Sequence, residues 1–159
     1  MLSEKQNERR SRPFPWPCSD CFTRTVVPTV IDYTAKVRHD GVIHEFHLPA
    51  IEVPRCQTCG NLVITSAIDE RVNDALRSRL GLLTPEQLRA NAEKLSLTQQ
   101  ELAEWLDVAP ETIARWMSGA LIQPSRMNKR LRLFFASPEA RAMLRRLDQD
   151  PQLGTEVCL

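Results

Sequence analysis

Four of the five cysteines fall into two pairs of one spacing, "CSDC" at Cys18–Cys21 and "CQTCG" at Cys56–Gly60, with thirty-four residues between the pairs. A two-residue gap lets a tight knuckle aim both sulfurs at one point. Two knuckles brought together offer four thiolates, a closed tetrahedral set for zinc. Cys18, Cys21, Cys56 and Cys59 therefore predict one structural Zn2+ per chain. Gly60, directly after Cys59, suits the positive φ that such a knuckle often needs, whereas Phe22 stands at that place in the first pair and predicts a looser turn there.

Three other uses of these residues fit less well. Redox CxxC motifs usually come singly in a βαβ setting, which is missing here. Zinc deaminases use HxE with PCxxC. In "HEFH" Glu45 directly follows His44, however, Arg55 separates Pro54 from Cys56, and the first cysteine pair would have no task. Ligation by His44 or His47 is unneeded once four thiolates fill the shell, and the pleat places these two residues on different sides of a strand.

The segment that must bring the pairs together reads as a hairpin. "TVVPTVIDYTAKV" and "GVIHEFHLPAIEV" are rich in β-branched residues, and "HDG" at His39–Gly41 lies between them, with an Asp-Gly that tolerates positive φ. "NLVIT" then reads as a short strand. Ser66 reads as the N-cap of a helix carrying Ile68, Val72, Leu76 and Leu80 at helical spacing and ending at Gly81. Residues 13–65 hold too few large apolar side chains for a self-sufficient core, so folding should require the metal, whose binding contributes about 10 kcal/mol or more.

The remainder is helical. Thr84-Pro85 with Gln87, and Thr98 with Glu101, are capping boxes. Further helices are predicted at Pro110–Ser118, from Pro124 to about Ala136, and from Ser137-Pro138 to about Leu147. In "LSLTQQELAEWLDVAPETIARWMSG" the apolar positions Leu97, Leu102, Leu106, Val108, Ile113 and Trp116 alternate between two short helices and their turn, as in a helix-turn-helix. An ordinary αα-hairpin would show the same spacing. Gln99 lies where free N–H groups can hold a phosphate. Glu111, Thr112 and Arg115 fall on the side of the second helix opposite Ile113 and Trp116, and Arg115 can pair bidentately with a guanine. Arg126, Lys129, Arg130 and Arg132 supply charge for the flanking phosphates.

Charge follows this division. The whole chain of 159 residues carries +1, but Thr84–Glu111 holds two basic and six acidic residues, and Thr112–Arg146 holds eight basic against Glu139 alone. No long apolar run and no signal-like start is present, which points to the cytoplasm and away from a membrane. No catalytic set is visible, so no enzyme is expected.

With both motifs in place, the chain resembles two known families. Leu95–Gly119 is similar to Xre-type helix-turn-helix domains, and paired cysteines, hairpin, CxxCG, linking helix and "LSLTQ" in that order resemble the MqsA-type antitoxins with their YgiT-type zinc finger, over roughly residues 15 to 147. The resemblance carries the zinc ligands onto Cys18, Cys21, Cys56 and Cys59, a phosphate-anchoring glutamine onto Gln99 and a base-reading arginine onto Arg115. Glu111 stands where the family has a base-reading asparagine. Asp107 replaces the turn glycine, Ala109 a Ser or Thr cap, and Met117 a common glutamate. It implies a homodimer formed through the C-terminal domain, binding to a palindromic operator in double-stranded DNA, repression of its own promoter, and a toxin protein held by the zinc domain. The alternative is a stand-alone zinc-containing transcription factor or a protein-interaction module without a toxin.

The expected fold class is thus α+β: a disordered tail at 1–12, a β-hairpin zinc domain at 13–65, a linking helix at 66–81, a five-helix repressor-like domain at 82–147, and a second tail at 148–159.

Overall fold

A computed structural model of the chain describes residues 12–150 with 152 and 153. All but Arg12 of the expected N-terminal tail, and Cys158 with most of the C-terminal one, lie outside the described residues. The architecture is α+β, a two-stranded antiparallel hairpin followed by six helices among the described residues. Two compact units divide the chain, Met1–Leu76 and Arg77–Leu159, with the division inside the linking helix.

In the first unit, β1 (Val26–His39) pairs with β2 (Val42–Cys56) in a register that sets Val26 opposite Cys56 and His39 opposite Val42. The two-residue turn has both residues at positive φ, Asp40 at 50° and Gly41 at 79°, the combination whose twist matches the strands it joins. Midway, Ile31 pairs with Ile51 but Tyr33 pairs with Leu48, so Pro49 and Ala50 together face Asp32. Ala50 lies at φ 50°, and its N–H donates to the Asp32 carboxylate at 3.0 Å. Proline is tolerated there because a bulge leaves its missing N–H without a ladder partner to serve.

The bulge moves the inward positions of β2 from even numbers to odd. Phe46 and Leu48 before it, and Ile51 and Val53 after it, face the same side as Ile31, Tyr33, Ala35 and Val37 of β1. Helix α1 (Ser66–Leu80) lays Ile68 and Val72 on that face. Its first helical residue is Ser66 itself, and the Thr65 carbonyl accepts from the Ile68 and Asp69 amides at 3.0 and 3.1 Å, so the start lies one residue earlier than an N-cap at Ser66 would place it. The strand expected over "NLVIT" reduces to one bridge, Leu62 with Arg55. The knuckle ends at Asn61 and the helix begins at Ser66, which leaves room for little more pairing.

The second unit packs α2 (Pro85–Lys94), α3 (Gln99–Leu106), α4 (Pro110–Ser118), α5 (Ser125–Ala136) and α6 (Pro138–Gln149). Both capping boxes close: the Gln87 and Glu101 amides donate to the Thr84 and Thr98 hydroxyls at 3.2 Å each, and the Gln87 and Glu101 side chains accept from the cap amides at 2.9 and 2.8 Å. The core is Leu88, Ala92, Leu102, Ala103, Leu106, Ile113, Trp116, Met117, Leu131 and Phe134. A buried polar clamp holds the chain that enters it. Asn128 Oδ1 accepts from the Leu83 amide at 2.8 Å, its Nδ2 donates to the Gly81 carbonyl at 3.3 Å, and the Gln123 amide group donates to the Leu83 carbonyl at 2.7 Å. Helix α6 buries no residue fully. Instead Arg145 lies 4.5 Å over the Trp105 ring and Arg141 donates to the Phe134 carbonyl at 2.6 Å. No helix among the described residues is long and apolar enough to cross a membrane.

Candidate metal centre and candidate nucleic-acid interface

Both cysteine pairs sit on knuckles of one design. The Cys18 amide donates to the Thr23 carbonyl at 2.8 Å, and the Cys56 amide donates to the Asn61 carbonyl at the same distance, each bond spanning five residues. Gly60 adopts φ 78°, and Phe22, at the matching place, adopts φ 60°. The expectation of a looser first turn is therefore corrected: the phenylalanine takes the left-handed conformation at some strain, and its ring points to solvent, 84% exposed. The knuckles are tied together across the start of β1. The Gln57 amide donates to the Thr25 carbonyl at 3.0 Å, and Trp16 exchanges both backbone bonds with Val26, at 2.9 and 3.1 Å.

This framework brings the sulfurs of Cys18, Cys21, Cys56 and Cys59 within 4.8 Å of one another. Cys18 and Cys59 lie 3.6 Å apart, as do Cys21 and Cys56. All four thiols are free, and those separations are far beyond a disulfide's bond of about 2 Å. A thiolate tetrahedron with metal–sulfur bonds of about 2.3 Å has edges of about 3.8 Å, so the set fits one metal ion. Val26 and the half-buried Trp16 and Val63 pack around it. His44 is half-buried on the inner face of the hairpin, stacked on Phe46, while His47 is exposed on the other face; neither belongs to the sulfur cluster.

The electrostatics prepare thiolates unevenly. The Thr25 hydroxyl, helped by the backbone N–H groups of Cys59 and Thr58, lowers the Cys56 thiol to about 5. The amides of Cys21 and Asp20 lower Cys18. The Asn61 amide acts in the same direction on Cys59, but partial desolvation of the sulfur, in a residue exposed as a whole, and its hydrogen bonds with Cys18, Cys56 and Cys21 together push that thiol up to about 12. Four sulfurs this close cannot all ionise without a cation among them, as the donor chemistry of a metal site requires.

Three residues near the sulfurs escaped the sequence reading. Thr23, Thr25 and Thr58 form a ring of hydroxyls, with Thr23 to Thr25 at 2.9 Å, Thr25 to Thr58 at 2.9 Å and Thr23 to Thr58 at 3.2 Å. Thr23 reaches Cys21 Sγ at 3.0 Å and Thr25 reaches Cys56 Sγ at 3.3 Å. The available signal was the alternation of threonines at 23 and 25, which turns both toward one side as the chain enters β1.

In the helical unit, α4 packs on α2 and α3. The turn from α3 is closed by Asp107 in the left-handed conformation, φ 54° and ψ 51°, with the Val108 amide returning to the Ala103 carbonyl at 3.1 Å. Ala109 caps α4 with no side-chain hydrogen bond, and Met117 is buried. Arg89 of α2 donates to the Met117 carbonyl at the other end of α4, and Gly119 ends the helix at φ 80°.

With Ile113, Trp116 and Met117 turned into the core, Glu111 and Arg115 are exposed and Thr112 is half-buried. The Arg115 guanidinium bonds to nothing among the described residues. Gln99, the first residue of α3, is exposed, as are Arg126 and Lys129 of α5. Arg130 is half-buried and its Nε is enclosed without a partner. Part of the basic run serves the domain itself: Arg132 donates to the Gly81 carbonyl at 3.4 Å, and Arg141 and Arg145 hold α6. The chain matches no protein-family model and no curated protein.

Proposed function

We propose that the chain is a cytoplasmic, sequence-specific DNA-binding regulator with a structural Zn2+, acting as the antitoxin of a toxin–antitoxin pair. The observation that carries the DNA-reading part is α4. It is a short helix, braced by α2 and α3, that buries one face and leaves Glu111 and Arg115 exposed, with the Arg115 guanidinium unpaired among the described residues. Such a helix suits the major groove, with Gln99 at the start of α3 on a phosphate and Arg126 and Lys129 beside the groove. Arg130, half-buried, takes a lesser share. Glu111 directs the reading toward cytosine N4 where an asparagine would select adenine.

Zinc is the metal that four thiolates in a closed tetrahedron with no redox task favour. The homodimer is supported by Leu133 of α5 with Met143 and Leu147 of α6, three apolar side chains left 63%, 49% and 43% exposed. A toxin partner is supported by the exposed Phe22, Val30, Val42 and Ile43 of the hairpin unit together with the resemblance to MqsA-type antitoxins.

The test is binding to duplexes from the chain's own promoter and to scrambled controls at several salt concentrations. Arg115→Ala should relax preference at one base pair, a loss of about 1–3 kcal/mol in discrimination. Lys129→Ala should weaken every duplex alike and lower the salt slope by about one. Equal affinity of the wild-type protein for promoter and scrambled DNA would remove the sequence-reading role and leave the interaction-module alternative.

A further inference from the structure

We propose that Thr23, Thr25 and Thr58 form a hydroxyl ring that holds the Cys21–Cys56 edge of the metal centre, so that the metal is exchanged, and carbon electrophiles react, at the opposite Cys18–Cys59 edge, with Cys59 the sulfur modified. The inference rests on the metal reading above and concerns which side of the centre is inert.

The centre has two unlike edges. Cys21 and Cys56, 3.6 Å apart, each lie against a threonine hydroxyl, at 3.0 and 3.3 Å. Cys18 and Cys59, equally far apart, meet no hydroxyl among the described residues and receive backbone donors, such as the Asp20 amide on Cys18 at 3.4 Å. Burial divides the second edge again, because Cys18 is buried and Cys59 is exposed.

The protons of the ring balance. Metal-bound sulfurs only accept, so with metal bound Thr23 turns its one proton from the Thr58 oxygen, 3.2 Å away, to Cys21, and Thr25 gives its proton to Cys56. Thr58, 2.9 Å from the Thr25 oxygen, then gives its own proton to Thr25, and every hydroxyl hydrogen has an acceptor. A hydroxyl that already receives a hydrogen bond is a better donor, so Thr58 strengthens the contact of Thr25 with Cys56. Hydrogen bonds to a thiolate withdraw charge from it, which makes it a poorer nucleophile and a group that leaves the metal less readily without an incoming proton.

On an α,β-unsaturated carbonyl the step at Cys59 is an addition. The sulfur lone pair forms an S–C bond, the C=C π bond breaks, and the neighbouring carbon takes a proton from water. The product is a neutral thioether, which has lost the anionic charge that held the cation, so metal is released.

The test uses the full-length chain loaded with zinc, and in parallel with cobalt for its thiolate charge-transfer bands. Thr25→Val keeps the shape of the side chain and removes the hydroxyl; Thr25→Ser keeps the hydroxyl. T25V should release zinc to a chromophoric chelator about tenfold faster than wild type, the low end of what a hydrogen bond to a charged group contributes. It should also shift the cobalt bands, and T25S should match wild type in both readouts. Among the four cysteines of the metal centre, limiting N-ethylmaleimide followed by peptide mass spectrometry should find Cys59 modified first in the wild-type chain and Cys56 gaining a share in T25V, with Cys158 scored separately. First modification at Cys21 or Cys56 in wild type, or valine and serine variants that behave alike, would overturn the proposal. A wild-type chain that takes up neither zinc nor cobalt would overturn it together with the metal reading.

Discussion

Replacing Phe22 by glycine asks how much strain the first knuckle carries. Phe22 holds φ 60° with its ring 84% exposed, so the change removes a left-handed non-glycine residue and almost no packing. The left-handed conformation costs an L-residue about 1–2 kcal/mol, and the extra freedom of glycine in the unfolded chain takes back about 0.5–1 kcal/mol. The net gain is about 0.5–1 kcal/mol. Because the sulfurs converge only when the knuckles are formed, the gain reads out as metal affinity, about two- to fivefold tighter. Gly60→Ala runs the other way. Its φ is 78°, and the new Cβ would meet only the Arg55 guanidinium, at 3.4 Å. A flexible side-chain end can withdraw, so the cost is that of the backbone, about 1 kcal/mol or roughly fivefold weaker binding. Competition against a chelator of known affinity, in reducing buffer at one pH, measures both variants. A Phe22→Gly protein that binds metal more weakly than wild type would refute the reasoning, since the exposed ring would then be supporting the folded site.

Wild-type protein should contain one metal ion per chain by elemental analysis, and Cys56→Ser should contain none and lose the circular dichroism of the hairpin unit; two ions in wild type would contradict a single four-sulfur site. Asn128→Ala should lower the urea-unfolding stability of the helical unit by about 1–3 kcal/mol, because it strands the half-buried Leu83 amide. The Thr98 amide and hydroxyl hold the Glu101 carboxyl below the usual carboxylate range. With the folded pKa depressed, its contribution is present above the unfolded carboxylate value and is lost as pH falls through the folded one. Glu101→Gln should therefore flatten the decline in stability measured below about pH 4; an unchanged acid limb would contradict the assignment.

Features that depend on adjacent residues were legible in the sequence. The starts at Thr84, Thr98 and Ser137 follow from a cap and a partner two or three residues on. The Asp40–Gly41 turn and the knuckle at Cys56–Gly60 were equally local, while the first knuckle forms the same turn against expectation because Phe22 takes the left-handed conformation. Features that depend on a distant partner were not. The bulge needs Asp32 to accept from Ala50, eighteen residues away, and nothing in "HLPAIEV" alone announces it. The threonine ring needs Thr58 beside Thr23 and Thr25, an encounter made only when the knuckles meet. Arg141 and Arg145 were legible as charge, but their engagement with Phe134 and Trp105 depends on how α6 folds back. The short strand after Asn61 failed for the converse reason, since its β-branched residues have the right local preference and a chain path too short to express it.

The bulge at Pro49–Ala50 also bears on which length changes the hairpin can survive. One strand has fourteen residues and its partner fifteen, and both ends are pinned, one by the sulfurs and the other by the Asp40–Gly41 turn. A strand held at both ends behaves like a standing wave of period two, in which the odd residue must be absorbed at a node. Here the node lies between Leu48 and Ile51. Deleting Ala50 would restore equal lengths, set Pro49 alone opposite Asp32, and leave the phase of both halves unchanged. Deleting His47 with the bulge kept and Cys56 fixed opposite Val26 would instead turn the tip over, sending Phe46 to water and Glu45 inward. A single-residue deletion is therefore tolerated by geometry at the bulge, whereas elsewhere in the second strand only paired changes that preserve parity, or changes within the turn itself, leave the wave intact.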